Sequence, residues 1–321
     1  GANLMGEQSI LIIHDKPDDF RAMLDTRFPD LTFVYATTPE AVPVRLEAGN
    51  PTVVFSLKHP GFPGEAHHIV VDYPSVKWVQ VGGSGVDHLL PWNPDKIIVT
   101  NCAGVLARHL AETVTGAMIA LNGNFLTYLG QQQQRLWQAH PFRPLSEQTL
   151  LIVGLGHIGG AVAHNAKALG MRVMATRRRQ TSHPAVDELF PAEALPDIIG
   201  QADVVSLHLR LSDETRHLFD QQLLAAMKAG AVLINTARGP IVDEAALVTA
   251  LQRGHLSGAY LDVFETEPLP PESPLWSLPN VLLTPHASDN IFNWTYQFAE
   301  FFADNLDRWL ADQPLINKVV L

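Results

Sequence analysis

The stretch TLLIVGLGHIGGAVA, residues 149–163, decides the fold. An aliphatic run is followed by glycines at 154, 156 and 159, and then by a segment of helical period that ends at Gly170, after which a second apolar run, MRVMA (171–175), begins. A strand, G-x-G-x-x-G, a helix and another strand form the context in which this glycine pattern carries a mechanism. Gly154 permits the tight turn and Gly156 lets the backbone approach a pyrophosphate. Gly159 lets the helix pack closely on the strand, and the N–H groups of the helix start face the anion. The competing reading is a glycine turn without a ligand, and the flanking elements weigh against it.

The end of the next strand selects the cofactor. NAD-type sites place an acid about 20 residues beyond the glycines, on the ribose hydroxyls. Here ATRRRQ (175–180) has no acid: Arg177 stands in its place, and Arg178 and Arg179 follow. A carboxylate would repel a ribose 2′-phosphate, whereas guanidinium groups bind it through charge-assisted hydrogen bonds. The pattern points to NADP, with NAD as the alternative and a solvated basic turn as the plainer one.

Apolar runs continue on both sides of this unit. Before it lie SILIIH (9–14), TFVYA (32–36), TVVFS (52–56), KWVQV (77–81) and IIVT (97–100), with helical stretches at 17–27 and 39–48. After it come DVVSL (203–207), AVLIN (231–235), GAYLD (258–262) and VLLT (281–284). Continuous apolar strands alternating with helices imply α/β units with parallel sheets covered on both faces. Two such units stand in tandem, separated by 101–148, which holds a long helical pattern near 106–121 and a glutamine run at 131–134 read as a solvated loop or helix face. The tail, 293–312, reads as one amphipathic helix able to return to the first unit. GANLM (1–5) is read as an expression scar before a native Met5 and is set aside from the fold.

The 321 residues suffice for two domains, and 46% hydrophobic against 17% charged residues indicates a packed globular protein. A net charge of -11 argues against general nucleic-acid or membrane-surface binding, which rewards clustered Lys and Arg. One cysteine, Cys102, excludes a disulfide within the chain and fits a reducing, cytoplasmic setting. Neither a membrane span nor a secretory signal is expected, since SILII is short and HDKPDD follows it at once.

Three polar residues follow strands of the glycine-loop sheet: Arg238 after AVLINTA, Glu267 after GAYLDVFET and His286 after VLLTP. Ligands of open α/β sheets bind outside these strand ends. Hydride transfer to a 2-oxo acid needs a fork to hold the carboxylate, a proton donor to the carbonyl oxygen, and a carboxylate that orients the donor and keeps it protonated. Arg238, His286 and Glu267 fit these roles in that order. Each alone reads as an ordinary structural or surface residue; their joint placement favours a site. Other chemistries are weaker. His67 and His68 are adjacent, lack partners at helical spacing and read as a stray surface pair, so no metal site is expected. Ser84 in GGSG is not a nucleophile elbow.

These motifs, taken in order, resemble the D-isomer-specific 2-hydroxyacid dehydrogenases. The resemblance rests on LLIVGLGHIGGAVA, VVSLHLRLSDETRHLF (204–219), MKAGAVLINTARGPIVDEAALVTAL (227–251), GAYLDVFETEPLPPESPLW (258–276) and NVLLTPHAS (280–288), with VQVGGSGVDHL (79–89) a weaker match to the substrate loop. It implies two flavodoxin- or Rossmann-like domains, the dinucleotide-binding domain (101–288) inserted into a substrate domain (1–100 plus 289–321). It implies a homodimer through the cofactor domain and closure of the two domains on substrate. By the same resemblance His157 and Ile158 contact the pyrophosphate, Ala237 and Asp262 lie at the nicotinamide, and Ser84 and Gly85 offer N–H groups to the substrate carboxylate. Arg177 in place of the acid agrees with members that use NADPH as glyoxylate or hydroxypyruvate reductases. Arg210 replaces the usual proline and falls near the adenosine end. ASDNIFNW (287–294) departs from the usual small residues, which leaves open whether Trp294 lines the substrate pocket or belongs to the core. The reading is an NADPH-preferring reductase of short 2-oxo acids. Its alternatives are a dinucleotide-sensing regulatory protein on the same fold and an NAD-dependent D-2-hydroxyacid dehydrogenase.

Overall fold

A computed structural model of the chain describes residues 9–321, so GANLM lies outside the described residues. The chain divides into two compact units, one running up to Leu106 and resuming at Phe292–Leu321, the other Ala107–Ile291.

The first unit carries β1 (Ser9–Ile13), β2 (Thr32–Ala36), β3 (Val53–Ser56), β4 (Trp78–Val81) and β5 (Ile98–Thr100). They form a parallel sheet of order β2-β1-β3-β4-β5. Helices α1 (Arg21–Arg27), α2 (Ala41–Gly49) and α3 (Ile69–Asp72) connect its strands. The second unit opens with α4 (Ala107–Asn122) and α5 (Phe125–Gln133), then winds β6 (Thr149–Val153), α6 (His157–Ala168), β7 (Arg172–Thr176), β8 (Glu188–Phe190), α7 (Leu195–Ile198), β9 (Val204–Leu207), α8 (Gln221–Ala226), β10 (Ala231–Asn235), α9 (Glu244–Gln252), β11 (Leu256–Leu261) and β12 (Val281–Leu283). Its parallel sheet has the order β12-β11-β10-β9-β6-β7-β8. The first order is that of flavodoxin-like sheets and the second that of doubly wound dinucleotide folds with one further strand.

Both faces of each sheet are buried, which explains why the strands read as unbroken apolar runs. In the second unit one face packs Leu150, Ile152, Val173 and Ala175 against Val162, Ala163 and Ala166 of α6 and Ala111, Val114 and Met118 of α4. The other face packs Leu151, Val153, Val205, Leu233 and Ala259 against Leu223, Leu247 and Leu251. The last helix, α10 (Trp294–Leu310), returns to the first unit and sets Phe298, Phe302 and Leu306 against Ile10, Phe55 and Trp78. Phe302 stacks on Phe55 with ring centroids 4.5 Å apart. Buried Asn305 fastens this return: its amide donates to Gln80 Oε1 at 3.0 Å, and its carbonyl accepts from Ile316 N–H at 2.8 Å.

Three local readings need correction or refinement. The edge strand β8 is missing from the apolar series because it is three residues long and partly exposed. The glutamine run lies on α5 and the turn after it, but Gln131 is buried and donates to the Gln138 carbonyl at 2.9 Å. His67 is not at the surface. It is fully buried, donates from Nε2 to the Phe62 carbonyl at 3.1 Å and therefore accepts the Ser56 hydroxyl at Nδ1, 2.6 Å away.

Candidate active site

The glycine loop meets the physical demands made of it. Gly154 has φ +95°, in the region that favours glycine, and a Cβ there would lie 2.8 Å from the His208 carbonyl oxygen. A Cβ on Gly159 would lie 2.9 Å from both the Gly154 carbonyl oxygen and Ile152. Gly156 is the N-cap of α6 and no side chain caps the helix, so the N–H groups of the first turn, at His157, Ile158 and Gly159, are open to an anion. These residues fit a dinucleotide pyrophosphate.

β7 ends at Thr176, whose hydroxyl accepts from Gly154 N–H at 3.2 Å and so ties the loop to the strand end. Arg177 follows, its backbone N–H held by the Phe190 carbonyl at 3.0 Å and its guanidinium donating to the Thr181 carbonyl at 3.1 Å. Among the described residues no carboxylate pairs with Arg177. Arg178 meets Glu214 at 3.3 Å, but both side chains are largely exposed and the pair holds little energy. Arg210 is exposed, and its carbonyl accepts from the Thr215 hydroxyl at 2.6 Å.

Arg238, Glu267 and His286 follow β10, β11 and β12, which are neighbours in one parallel sheet, so all three leave from the same sheet edge. Asn235, buried at the end of β10, clamps the Arg238 turn: it accepts from Ala237 N–H at 3.0 Å and donates to the Arg238 carbonyl at 3.0 Å. The next residue, Gly239, lies against the backbone of Phe264, where any Cβ would fall 2.0 Å from the Phe264 carbonyl. Phe264 N–H in turn donates to Glu267 Oε1 at 3.0 Å. The arginine loop and the glutamate loop are thus in backbone contact. The other glutamate oxygen, Oε2, lies 2.6 Å from His286 Nδ1. The Arg238 guanidinium is exposed and donates to the Ala237 carbonyl at 2.6 Å.

The largest feature missing from the sequence reading is what holds His286. Its φ of 49° is left-handed, and its N–H donates to the carbonyls of Asp262 at 2.9 Å and Thr284 at 3.0 Å. The Asp262 carboxylate, fully buried, accepts four hydrogen bonds: Thr284 Oγ1 at 2.6 Å, Ala287 N–H at 2.8 Å, Ser288 N–H at 3.2 Å and Ser288 Oγ at 2.6 Å. Tyr260 donates to Thr284 Oγ1 at 2.7 Å and extends the chain. The Asp262 carboxylate thus anchors the histidine turn, and charge-assisted bonds of this kind fix such a turn firmly. The signal available in the sequence is an acid directly after a buried strand, opposite a TPHAS turn.

Ser84 and Gly85 lie in the exposed loop after β4, in the first unit, where Ser84 O accepts from Asn101 Nδ2 at 3.1 Å. Trp294 is half-buried and packs edge-on against Phe298, ring centroids 5.6 Å apart, within the same unit's core.

The family model for D-isomer specific 2-hydroxyacid dehydrogenase, NAD binding domain, matches residues 115–288. A glyoxylate/hydroxypyruvate reductase B from Klebsiella pneumoniae is 33% identical over 313 residues, 93% of this chain and 94% of its own. A D-isomer specific 2-hydroxyacid dehydrogenase family protein from Aeromonas salmonicida has a crystal structure similar at TM-score 0.79 and 32% identity, covering 98% of this chain and 99% of that one. A D-isomer specific 2-hydroxyacid dehydrogenase from Xanthobacter autotrophicus, solved with NADPH and MES, matches at TM-score 0.77 and 29% identity over 98% of both chains. With two parallel sheets in the expected orders, an open helix start behind the glycine loop, and a histidine bonded to a glutamate one loop from an arginine, the chain belongs to the D-isomer specific 2-hydroxyacid dehydrogenases, NAD(P)-dependent oxidoreductases.

Proposed function

We propose that the protein is an NADPH-preferring reductase of short 2-oxo acids, of the glyoxylate and hydroxypyruvate type, giving D-2-hydroxy acids. The observation that carries the chemistry is the 2.6 Å contact between His286 Nδ1 and Glu267 Oε2. A carboxylate can only accept, so Nδ1 carries a proton and Nε2 is the nitrogen that serves the substrate. A dihydronicotinamide cofactor held at the glycine loop by the N–H groups of His157, Ile158 and Gly159 would supply the hydride. His286 Nε2–H polarises the substrate carbonyl oxygen and delivers its proton there as the alkoxide develops. Glu267 fixes the ring and stabilises its positive charge before transfer. Arg238 holds the 2-oxo acid through its planar fork, releasing the Ala237 carbonyl as substrate arrives.

The NADPH preference is supported by Arg177, a guanidinium at the end of the second strand of the dinucleotide fold with only a carbonyl partner. Arg178 adds positive charge next in sequence, and Arg210 follows β9, which is separated from β7 by β6 in the sheet. The substrate class is supported by the relative from Klebsiella pneumoniae, which is named for glyoxylate and hydroxypyruvate. We further propose a homodimer through the second unit. Phe125, Leu129, Leu136, Trp137 and Phe142 are exposed on α5 and the chain that follows, with Trp137 wholly exposed, an apolar patch of the kind that marks protein contact. Light scattering of wild type and Trp137→Ala tests it: a dimer that weakens on substitution is expected, and a wild-type monomer contradicts it.

No helix among the described residues is long and apolar enough to cross a membrane. The buried Cys102 thiol, pushed up to about 12 by burial, is unreactive, and a cytoplasmic setting is proposed with the rest. The test of the whole reading is a panel of glyoxylate, hydroxypyruvate and pyruvate with NADPH and NADH, followed at the nicotinamide band. Turnover of the first two with at least about tenfold higher kcat/KM for NADPH is expected. Preference for NADH, or turnover of neither acid, overturns the proposal.

A further inference from the structure

The five-stranded sheet carries a second cluster of ligand-type side chains. His14 and Asp15 directly follow β1, and His59 lies three residues beyond β3. β1 and β3 are neighbours where the strand order reverses, the position at which open α/β sheets hold ligands. His59 Nε2 lies 2.7 Å from Asp15 Oδ1, and His14 Nδ1 lies 3.7 Å from the same oxygen. One ligand atom from each of the three residues falls within 4.8 Å of the others.

His14 is the decisive member. It is 2% exposed, and its Nδ1 has no hydrogen-bond partner. A buried nitrogen left without a partner is destabilising. The unpartnered nitrogen lies 3.7 Å from the Asp15 carboxylate, a gap that a shared cation would bridge. Trp294 stands edge-on at 6.1 Å from the His14 ring and 6.3 Å from that of His59, and Phe20 lies 6.1 Å from His14, so aromatic walls hold both rings.

We propose that His14 Nδ1, the Asp15 carboxylate and His59 Nε2 form a site for a divalent transition-metal ion of the Zn²⁺ class, with a fourth position left for water or an anionic oxygen. Two imidazoles and one carboxylate favour Zn²⁺, Co²⁺ or Ni²⁺ over Mg²⁺ and Ca²⁺, which prefer all-oxygen shells. A tetrahedral ion with arms of about 2.0 Å needs ligand atoms roughly 3.3 Å apart. The separations of 2.7 and 3.7 Å bracket that value, and the third lies within 4.8 Å. His59 Nδ1 accepts from Gly61 N–H at 3.1 Å, so without metal its proton sits on Nε2, toward Asp15. On binding that proton moves to Nδ1, the Gly61 contact opens to solvent, and the ion replaces the N–H donor at the carboxylate.

The test is titration of chelator-treated protein with Zn²⁺ by calorimetry and with Co²⁺ by its visible ligand-field bands. One equivalent is expected, with a rise in Tm. His14→Ala and Asp15→Asn should each weaken binding at least about tenfold, while His286→Ala, in the other unit, leaves it unchanged. Asp15→Asn keeps the side-chain shape and remains informative if His14→Ala folds poorly. The absence of saturable uptake by wild type, affinities unchanged in both variants, or loss of binding in His286→Ala would each overturn the proposal.

Discussion

Both parallel sheets end in a histidine hydrogen-bonded to a carboxylate, and the two pairs differ in their company. At the edge of the seven-stranded sheet His286 meets Glu267 at 2.6 Å, with side chains 43% and 35% exposed. At the edge of the five-stranded sheet His59 meets Asp15 at 2.7 Å, with exposures of 20% and 26%. The first pair has an arginine one loop away and leaves Nε2 open, an arrangement suited to giving a proton to an anionic substrate. The second has a buried third imidazole whose nitrogen lacks a partner, an arrangement suited to holding a cation. In the two proposals the same couple of side chains would serve acid chemistry or ligation, according to the third group beside it.

The contrast can be broken most sharply at the arginine. Arg238→Gln keeps the size but removes the fork, and kcat/KM for a 2-oxo acid should fall by roughly 10³, about 4 kcal/mol, with cofactor affinity little changed; equal losses in both would make Arg238 structural. Glu267→Gln should lower kcat by about 10²-fold, because the amide no longer stabilises the imidazolium, and the pH profile of kcat should move with it. An unaltered profile would leave the glutamate without a role in orienting the acid. At the cofactor end, Arg177→Asp with Arg178→Ser should weaken NADPH by 10- to 100-fold, on the order of 1.5–3 kcal/mol, and spare NADH. Equal effects on both cofactors would remove the phosphate contact.

The smallest effect belongs to the five-stranded unit and concerns acid stability. Burial pushes His67 and His88 down to about 4, against about 6.5 in an unfolded chain. Between those values the unfolded state binds more protons, so the contribution of these residues is complete above about pH 6.5 and is lost as pH falls through 4. His67→Gln should flatten the drop in Tm across that window by about 4 °C or less. A variant as acid-sensitive as wild type would show that other groups govern it.

Strand positions were legible because sheets buried on both faces leave unbroken apolar runs, and TLLIV and AVLIN are strands as read. Arg238, Glu267 and His286 stand out in the sequence because each follows such a run, three, six and three residues past the ends of β10, β11 and β12. Their anchors do not. Asp262 meets Thr284 and Ser288 only once β11 and β12 lie side by side, a relation 22 to 26 residues apart that no local period carries. His14 reads as the last residue of SILIIH; its burial is set by Phe20 and by Trp294, which comes from the far end of the chain. His67 beside His68 looks like a surface pair until Ser56, on β3, supplies the hydroxyl that makes its burial tolerable.

The most direct test of the proposed chemistry is His286→Ala, with kcat for glyoxylate reduction and the NADPH dissociation constant measured on the same preparation. Removal of the proton donor should lower kcat by about 10²- to 10⁴-fold and leave NADPH affinity within about threefold of wild type. A kcat within a few-fold of wild type would place the acid elsewhere and contradict the assignment.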